Sequence, residues 1–294
     1  MISYSDYLNN IFPGVKVQKI SVNAGFSCPN RDGTIGIGGC SYCRNDSFSP
    51  AYCMEKELIS LQIEKGKAFF ARKYPQMKYL AYFQAYTNTY SQDIDLLRNM
   101  YEEAIGCKDI VGLVIGTRPD TLPDRVINLL ADINLRLPVF LEIGAETSSD
   151  QTLSAINRHH TWKDVSDAVN RAADKGIRCG LHLIAGLPGE DRQQILANVK
   201  AACGLPIETL KLHQLQILKD TPLCRQWEAG EIDLQPFSLD EYLDLCVEII
   251  KIVPDSIVIE RFLSQSPPGL VVEPKWGLKN YQFMNLLHKT IIES

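Results

Sequence analysis

The chain has 294 residues, 30 Lys and Arg against 35 Asp and Glu for a formal net charge of −5, and 45% apolar against 22% charged residues. That is an ordinary globular composition with a large core to bury, and the acidic balance excludes a protein that holds nucleic acid chiefly by bulk charge, though not one with a local basic groove. The opening MISYSDYLNN lacks the basic start and apolar stretch of a signal peptide, and no run of about 18 apolar residues occurs, so a cytoplasmic protein with no membrane association is expected.

In chain order, short β-rich runs at Lys16–Val22, Tyr79–Gln84, Gly112–Gly116, Val139–Gly144, Arg178–Ile184, Leu210–Ile217 and Ile257–Phe262 alternate with longer amphipathic stretches. Such βαβα order predicts an α/β fold around a parallel sheet or barrel. The clearest helix carries Leu239, Tyr242, Leu243, Cys246, Val247 and Ile250 on one face, which puts Cys246 in a core. No repeat, low-complexity tract or linker interrupts the chain before Ser264, and Ser266-Pro267-Pro268-Gly269 reads as a turn into a C-terminal segment. The expected organisation is one barrel unit over residues 1–264, with 265–294 as a cap closing part of its mouth.

Two of the strands carry more than their existence. In Val139–Glu146, period-two alternation places Leu141, Ile143 and Ala145 on one face and Phe140, Glu142, Gly144 and Glu146 on the other. In the fifth run, Leu181 and Leu183 share a face and His182 lies opposite. A barrel with helices outside and a polar ligand inside produces this pattern; an edge strand with one wetted face is the plainer alternative.

Nine cysteines in a reducing compartment direct attention to metal or cluster ligation rather than disulfides. Cys28, Cys40 and Cys43 form C-x11-C-x2-C in a loop with Gly25, Gly33, Gly36, Gly38 and Gly39. A glycine-rich chain can wrap an inorganic body closely. Three thiolates would suit an iron–sulfur cluster with one open iron, whereas Cys53 as a fourth would complete a closed zinc site. Spacing alone leaves cluster and zinc open. Cys107, Cys179, Cys203 and Cys246 fall at positions compatible with burial as small hydrophobes, and the roles of Cys53 and Cys224 are unassigned. No second C-x2-C pair exists, which argues against an auxiliary cluster.

From about Val15 to Gly277 the chain resembles the radical S-adenosylmethionine (SAM) superfamily, and within it the YhcC-like/YtqA-like family related to oxygen-independent coproporphyrinogen oxidase and the Elongator catalytic subunit. The resemblance rests on ordered motifs: CPNRDGTIGIGGCSYC, YFQAYTNTY from Tyr82, GTRPD from Gly116, EIGAET from Glu142, NRHHT from Asn157, HLIAGLPGE from His182 and VIERFL ending at Leu263. It implies a partial, open (βα)6 TIM-like barrel of the radical SAM type. It further implies a [4Fe–4S] cluster on Cys28, Cys40 and Cys43, with SAM on the open iron, and an electron donor such as flavodoxin or ferredoxin. Reductive cleavage of SAM would then yield a 5′-deoxyadenosyl radical that abstracts hydrogen from substrate.

Residue by residue, the resemblance implies that Tyr42 lies near the adenine and that the Gln84–Thr87 run approaches the methionine amino group. The usual glycines are missing there, and Gln84 and Thr87 are the side-chain candidates. Arg158 matches the arginine for the methionine carboxylate or ribose end, a role that suits its planar fork. Glu146 would accept from ribose hydroxyls or ammonium, Glu142 lines the same face, and His182 stands where coproporphyrinogen oxidase has Asp. Gly186–Gly189 resembles the turn beside adenine. Arg118, Asp120, Arg261 and Trp276 are further candidates near the mouth.

The motifs do not name a substrate. The association of the family with modification of wobble uridine makes tRNA the leading expectation, and Lys65–Lys73 interleaves basic and aromatic residues in a way that could meet phosphates and bases. A small metabolite such as a tetrapyrrole, or a non-catalytic cluster or zinc module that binds a partner, are the alternatives.

Overall fold

A computed structural model describes residues 3–45, 50, 52–53, 57–71 and 76–293. Nine strands are present among them: β1 (Val17–Val22), β2 (Lys78–Phe83), β3 (Ile110–Thr117), β4 (Val139–Glu146), β5 (Arg178–Ala185), β6 (Thr209–Gln214), β7 (Ile217–Leu218), β8 (Val258–Arg261) and β9 (Val271–Glu273). The helices are α1 (Tyr4–Ile11), α2 (Ile59–Ala71), α3 (Ile94–Ile105), α4 (Asp124–Asn134), α5 (Asp150–Ala155), α6 (Trp162–Asp174), α7 (Arg192–Cys203), α8 (Pro222–Glu228), α9 (Leu239–Ile252) and α10 (Asn280–Glu293).

Seven strands pair in the order β1-β2-β3-β4-β5-β6-β8, every neighbour parallel. This is the expected partial barrel, with a seventh parallel strand beyond the six of the (βα)6 reading. All eight residues of β4 are buried, as a mid-sheet strand covered on both faces requires. Leu141, Ile143 and Ala145 face the helices in the main core together with Leu181 and Leu183 from β5, so the period-two reading of both strands holds. Local signals start the helices: Thr161 with Asp164 and Ser238 with Glu241 form capping boxes at α6 and α9.

The run expected as one strand over Leu210–Ile217 is divided. The Gln214 side chain accepts from Ser264 N (2.6 Å) and donates to Ser264 O (3.3 Å), so a side-chain amide takes the place of the ladder beyond β6. The chain then turns away, and β7 pairs antiparallel with β9. At the other end of the chain, Phe283 and Leu287 of α10 are wholly buried in the main core, and Trp276 stacks on Phe283 beside Tyr242. Trp276 is therefore a packing residue and not a residue of the mouth.

The inner face of the sheet is filled from one end by α1. Tyr4, Tyr7, Ile11 and Phe12 pack on Leu80, Tyr82, Val114 and Phe140, and the Tyr7 hydroxyl donates to Glu208 (2.7 Å). Above this plug lies a buried ionic cluster. Lys19 of β1 bonds Glu142 of β4 (2.5 Å) and Glu260 of β8 (2.8 Å), and Lys211 of β6 bonds Glu142 (2.6 Å) and Glu260 (3.2 Å). Tyr82 and His182 also donate to Glu142. Burial alone would raise the Glu142 carboxyl, but Lys19 and Lys211 outweigh it and hold the group well below the usual carboxylate range.

Replacing Glu142 by Gln leaves Lys19 and Lys211 short of a counter-charge in a dry site, so E142Q is expected to cost about 3–5 kcal/mol in urea unfolding of the metal-free chain. The exposed Arg136–Glu102 pair provides the control. R136Q is expected to change little, and an E142Q loss no larger than that of R136Q would contradict this account.

Candidate functional site

The loop after β1 is clamped rather than free. On one side, Ser41 N donates to Ile156 O (2.9 Å), Asn157 Nδ2 to Gly39 O (2.8 Å) and Asn30 Nδ2 to Asn157 O (2.5 Å). On the other, Leu223 N of α8 donates to Ser41 O (2.9 Å), and Arg44 reaches Lys219 O (2.8 Å). Gly39 has φ +87, and a Cβ there would meet the Arg31 side chain at 2.9 Å. Glycine is what lets the chain pass that close.

This clamp turns Cys28, Cys40 and Cys43 onto one cavity of about 260 Å³ at the carboxyl ends of the strands, where parallel α/β sheets place their sites. Tyr42, Gln84, Thr87, Glu142, Glu146, Arg158 and His182 line the same cavity. The ten residues that the resemblance assigns to the cluster or to SAM are thus gathered in one place. Arg118 and Arg261 line it as well. Cys53 does not join them: it is buried, and its thiol donates to Gln62 (3.1 Å) in a separate network with Asn23. The four-thiolate zinc site allowed by spacing is therefore not formed. Cys179, Cys246 and Cys224 are buried in apolar clusters, with Cys107 and Cys203 packed against the main one.

Arg158 organises the cysteine end. Its Nε donates to His160 (2.9 Å), one terminal nitrogen meets Gly144 O (2.6 Å) and Glu146 (3.0 Å), and the other reaches Cys40 Sγ (3.5 Å). The residues flanking it, Asn157 and His159, have φ +57 and +59, a tight turn that aims the guanidinium inward. Glu146 itself sits at φ +66 where β4 shifts register against β5, and a Cβ on Gly144 would strike both Glu146 (2.6 Å) and Arg158 (2.7 Å). Such strain costs about 1–3 kcal/mol and concentrates at functional sites.

Glu142 forms the floor. Both of its oxygens are taken by Lys19, Tyr82, His182 and Lys211, so its immediate partners are side chains of the protein itself. Gln84 accepts from Ser21 (3.2 Å), Thr87 is buried with its N–H on Ser27 O (3.3 Å), and Tyr42 packs against a second apolar cluster around Ile156 and Ile184. Arg118 forms a two-point pair with Asp120 and donates to Arg158 O (2.7 Å), while its remaining terminal nitrogen is buried without a partner.

The Radical SAM superfamily description matches residues 28–202, and the Radical SAM C-terminal domain description matches residues 207–293. The chain belongs to the radical SAM superfamily. YtqA of Bacillus subtilis (strain 168) is 34% identical over 278 residues, covering 95% of this chain and 85% of that protein. YhcC of Escherichia coli (strain K12) is 36% identical over 264 residues, covering 90% and 83%. A tRNA uridine(34) acetyltransferase of Methanocaldococcus jannaschii is 25% identical over 182 residues, which span 61% of this chain and 32% of that protein. Among solved structures, Elp3 of Methanocaldococcus infernus with its N-terminus deleted shares the fold, with a TM-score of 0.66, 17% identity and coverage of 95% of this chain and 63% of that one. As a radical SAM enzyme, the protein works with a [4Fe–4S] cluster and SAM and needs a reductant.

The cavity suits those groups. Burial, and after it the neighbouring Cys40, push the Cys43 thiol up to about 11, so it is a neutral thiol until a positive centre draws off the proton. Among the described residues no three His, Cys, Asp or Glu side chains converge on a single-ion site, and the three cysteines rim a wider space. Arg118, which lines that space, keeps a buried terminal nitrogen without a partner. No helix among the described residues is long and apolar enough to cross a membrane.

The sequence reading missed Lys19, Lys211, His213 and Glu260. The same alternation that exposed Glu142 marks Lys211 and His213, which alternate with Leu210 and Leu212 on β6, and Lys19 beside Ile20 on β1. The basic stretch Lys65–Lys73 is weakened as a phosphate-binding face, because Lys65 pairs with Glu57 and Lys67 with Glu64; Arg72 and Lys73 lie outside the described residues.

Burial first, then Lys211, lowers the His182 imidazole below its ordinary value, and burial with Arg261 holds His213 well below its own. The folded chain thus binds fewer protons than the unfolded one as pH falls below about 6.5, and each histidine removes up to about 1.4 kcal/mol of stability per pH unit there. Above that pH the contribution is flat. Urea unfolding of wild type and a His182→Gln/His213→Gln double variant across this range checks it; an equal slope in both would contradict it.

Proposed function

We propose that Cys28, Cys40 and Cys43 hold the cluster, that SAM lies along the cavity against Tyr42, Gln84, Thr87, Glu146, Arg158 and His182, and that the substrate is a tRNA whose wobble uridine side chain loses the hydrogen. The observation that carries the cofactor assignment is that three thiols from one loop open on the same cavity as the Glu146–Arg158 pair. When bound and reduced, the cluster supplies the electron that cleaves SAM and so the 5′-deoxyadenosyl radical.

The protein's own part is positional. Arg158 orients Cys40 through its N–H···S contact while tying the loop to β4 through Gly144 O. Glu146 carries the negative charge beside that guanidinium and presents an acceptor to hydroxyl or ammonium groups. Tyr42 supplies a flat apolar face from the second core cluster. The Glu142 floor and the α1 plug below it close the inner end of the cavity to water, which protects a radical from side reactions.

The tRNA assignment is supported by the relatives named as tRNA uridine(34) acetyltransferases, which span 61% of this chain in the M. jannaschii case. A flavodoxin or ferredoxin is the proposed electron donor.

Anaerobic reconstitution with iron and sulfide is expected to load wild type with about four irons per chain, as one cubane requires. The Cys28/Cys40/Cys43 triple alanine should load none, and dithionite with SAM should release 5′-deoxyadenosine from wild type alone. R158Q should retain iron yet release the nucleoside more slowly. Unmodified tRNA should then raise 5′-deoxyadenosine release, with a binding affinity that falls steeply with salt. Stoichiometric zinc without SAM cleavage would overturn the cofactor assignment, and equal turnover with and without tRNA at low salt would shift the substrate to a small metabolite.

A further inference from the structure

The β6–β8 side of the sheet lines the cavity as well, with His213, Gln214, Gln216 and Arg261. Ile259 packs in the outer core, so strict alternation along β8 would send Arg261 outward with it. The register prevents this: Leu210 stands opposite Ile259 but Lys211 opposite Arg261, leaving Glu260 as an extra residue. Glu260 bonds Lys19 and Lys211, and Arg261 lines the cavity. A local shift of this kind re-aims one side chain without disturbing the rest of the strand.

The charge balance singles out the same residue. Lys19 and Lys211 are matched by Glu142 and Glu260, Arg158 by Glu146, Arg118 by Asp120 and Arg44 by Asp220. Arg31, at the cysteine end, donates to Cys43 O (2.8 Å). Arg261 makes no hydrogen bond or ion pair among the described residues, and its Nε is buried without a partner. The groups beside it, Lys211 and His213, offer no counter-charge. His213 is fixed by Ser264 Oγ at 2.7 Å, and its ring lies 5.6 Å from that of His182. A half-buried guanidinium left in this state is costly unless something neutralises it.

We propose that Arg261, flanked by His213, is an anion subsite that receives a carboxylate or phosphate group of the substrate and so holds the substrate in the same cavity as the cysteines. The planar fork of arginine suits either group. The proposal rests on the reading of the cysteine end as the cofactor end, and it adds a requirement on the substrate: a negative charge on the part that enters the cavity.

The test is calorimetric titration of the reconstituted, full-length enzyme with succinate and, separately, inorganic phosphate, beside a titration with SAM. Wild type is expected to bind at least one of the two anions at a single site, and the preferred one distinguishes carboxylate from phosphate. R261Q should weaken that binding about tenfold to a hundredfold while leaving SAM affinity unchanged. R261K, which keeps the charge but not the fork, should fall between them and serves if R261Q does not fold. The Cys28/Cys40/Cys43 triple alanine should bind the anion like wild type, so failure of the cofactor assignment, read from iron content, is separate from failure here. No saturable anion binding to wild type, undiminished binding to R261Q, or loss of SAM affinity in R261Q would overturn the proposal.

Discussion

Glu142 sits between two lysines drawn from distant strands, and the inner half of the molecule is arranged around it. A parallel sheet that curls without closing leaves two edge strands and an interior to fill. Here Lys19 on the β1 edge reaches both Glu142 in the middle of the sheet and Glu260 on the β8 edge, so one ionic cluster spans the opening that hydrogen bonds do not. Burial would lower Lys19, yet Glu142 and Glu260 together hold its ammonium well above its ordinary range, while for Lys211 burial prevails and the ammonium is lowered. The aromatic plug of α1 covers the cluster from below. What remains above it is a cavity with a polar floor at the carboxyl ends of the strands.

Two parts of that cavity's lining are built by different means. The cysteine end depends on backbone clamping: a glycine-rich loop with little apolar surface of its own is held by main-chain and asparagine bonds to the Asn157–His159 turn and to α8. Arg158 then joins loop, strand and carboxylate through a single side chain. The β6–β8 part of the lining depends on strand register, where a shift on β8 turns Arg261 inward. A second shift, between β4 and β5, accompanies the left-handed backbone of Glu146. Both irregularities lie at the carboxyl ends of strands, where ligand-facing geometry can be altered while the lower, regular part of the sheet carries the core.

The same division bears on the charge of the interior. Cation and carboxylate are paired almost throughout the lining, so the net charge of −5 says little about the interior. A guanidinium without a carboxylate partner in a partly dry wall, such as that of Arg261, exerts more on an incoming anion than several screened lysines on an exposed helix such as α2, where Lys65 and Lys67 already have carboxylate partners.

Much of this was legible in the sequence. Alternating strands and helices predicted an α/β fold around a parallel sheet or barrel, which the family resemblance narrowed to a partial barrel; period-two patterning put Glu142 and His182 on the face opposite the apolar one, and the spacing of Cys28, Cys40 and Cys43 marked the candidate loop. These are local properties, written in residues a few positions apart, and chemistry at that range needs no knowledge of the fold. The partners of Glu142 were not legible, since Lys19 and Lys211 lie 123 and 69 positions away. Cys53 is only ten positions beyond Cys43, yet Gln62 draws its thiol into another network. The end of β6 was set by a side-chain bond to Ser264, and the inward turn of Arg261 by a register shift against a neighbouring strand. Only the tertiary structure could decide these, because ion pairing and strand register depend on which distant segments meet, and alternation within one strand carries no record of that.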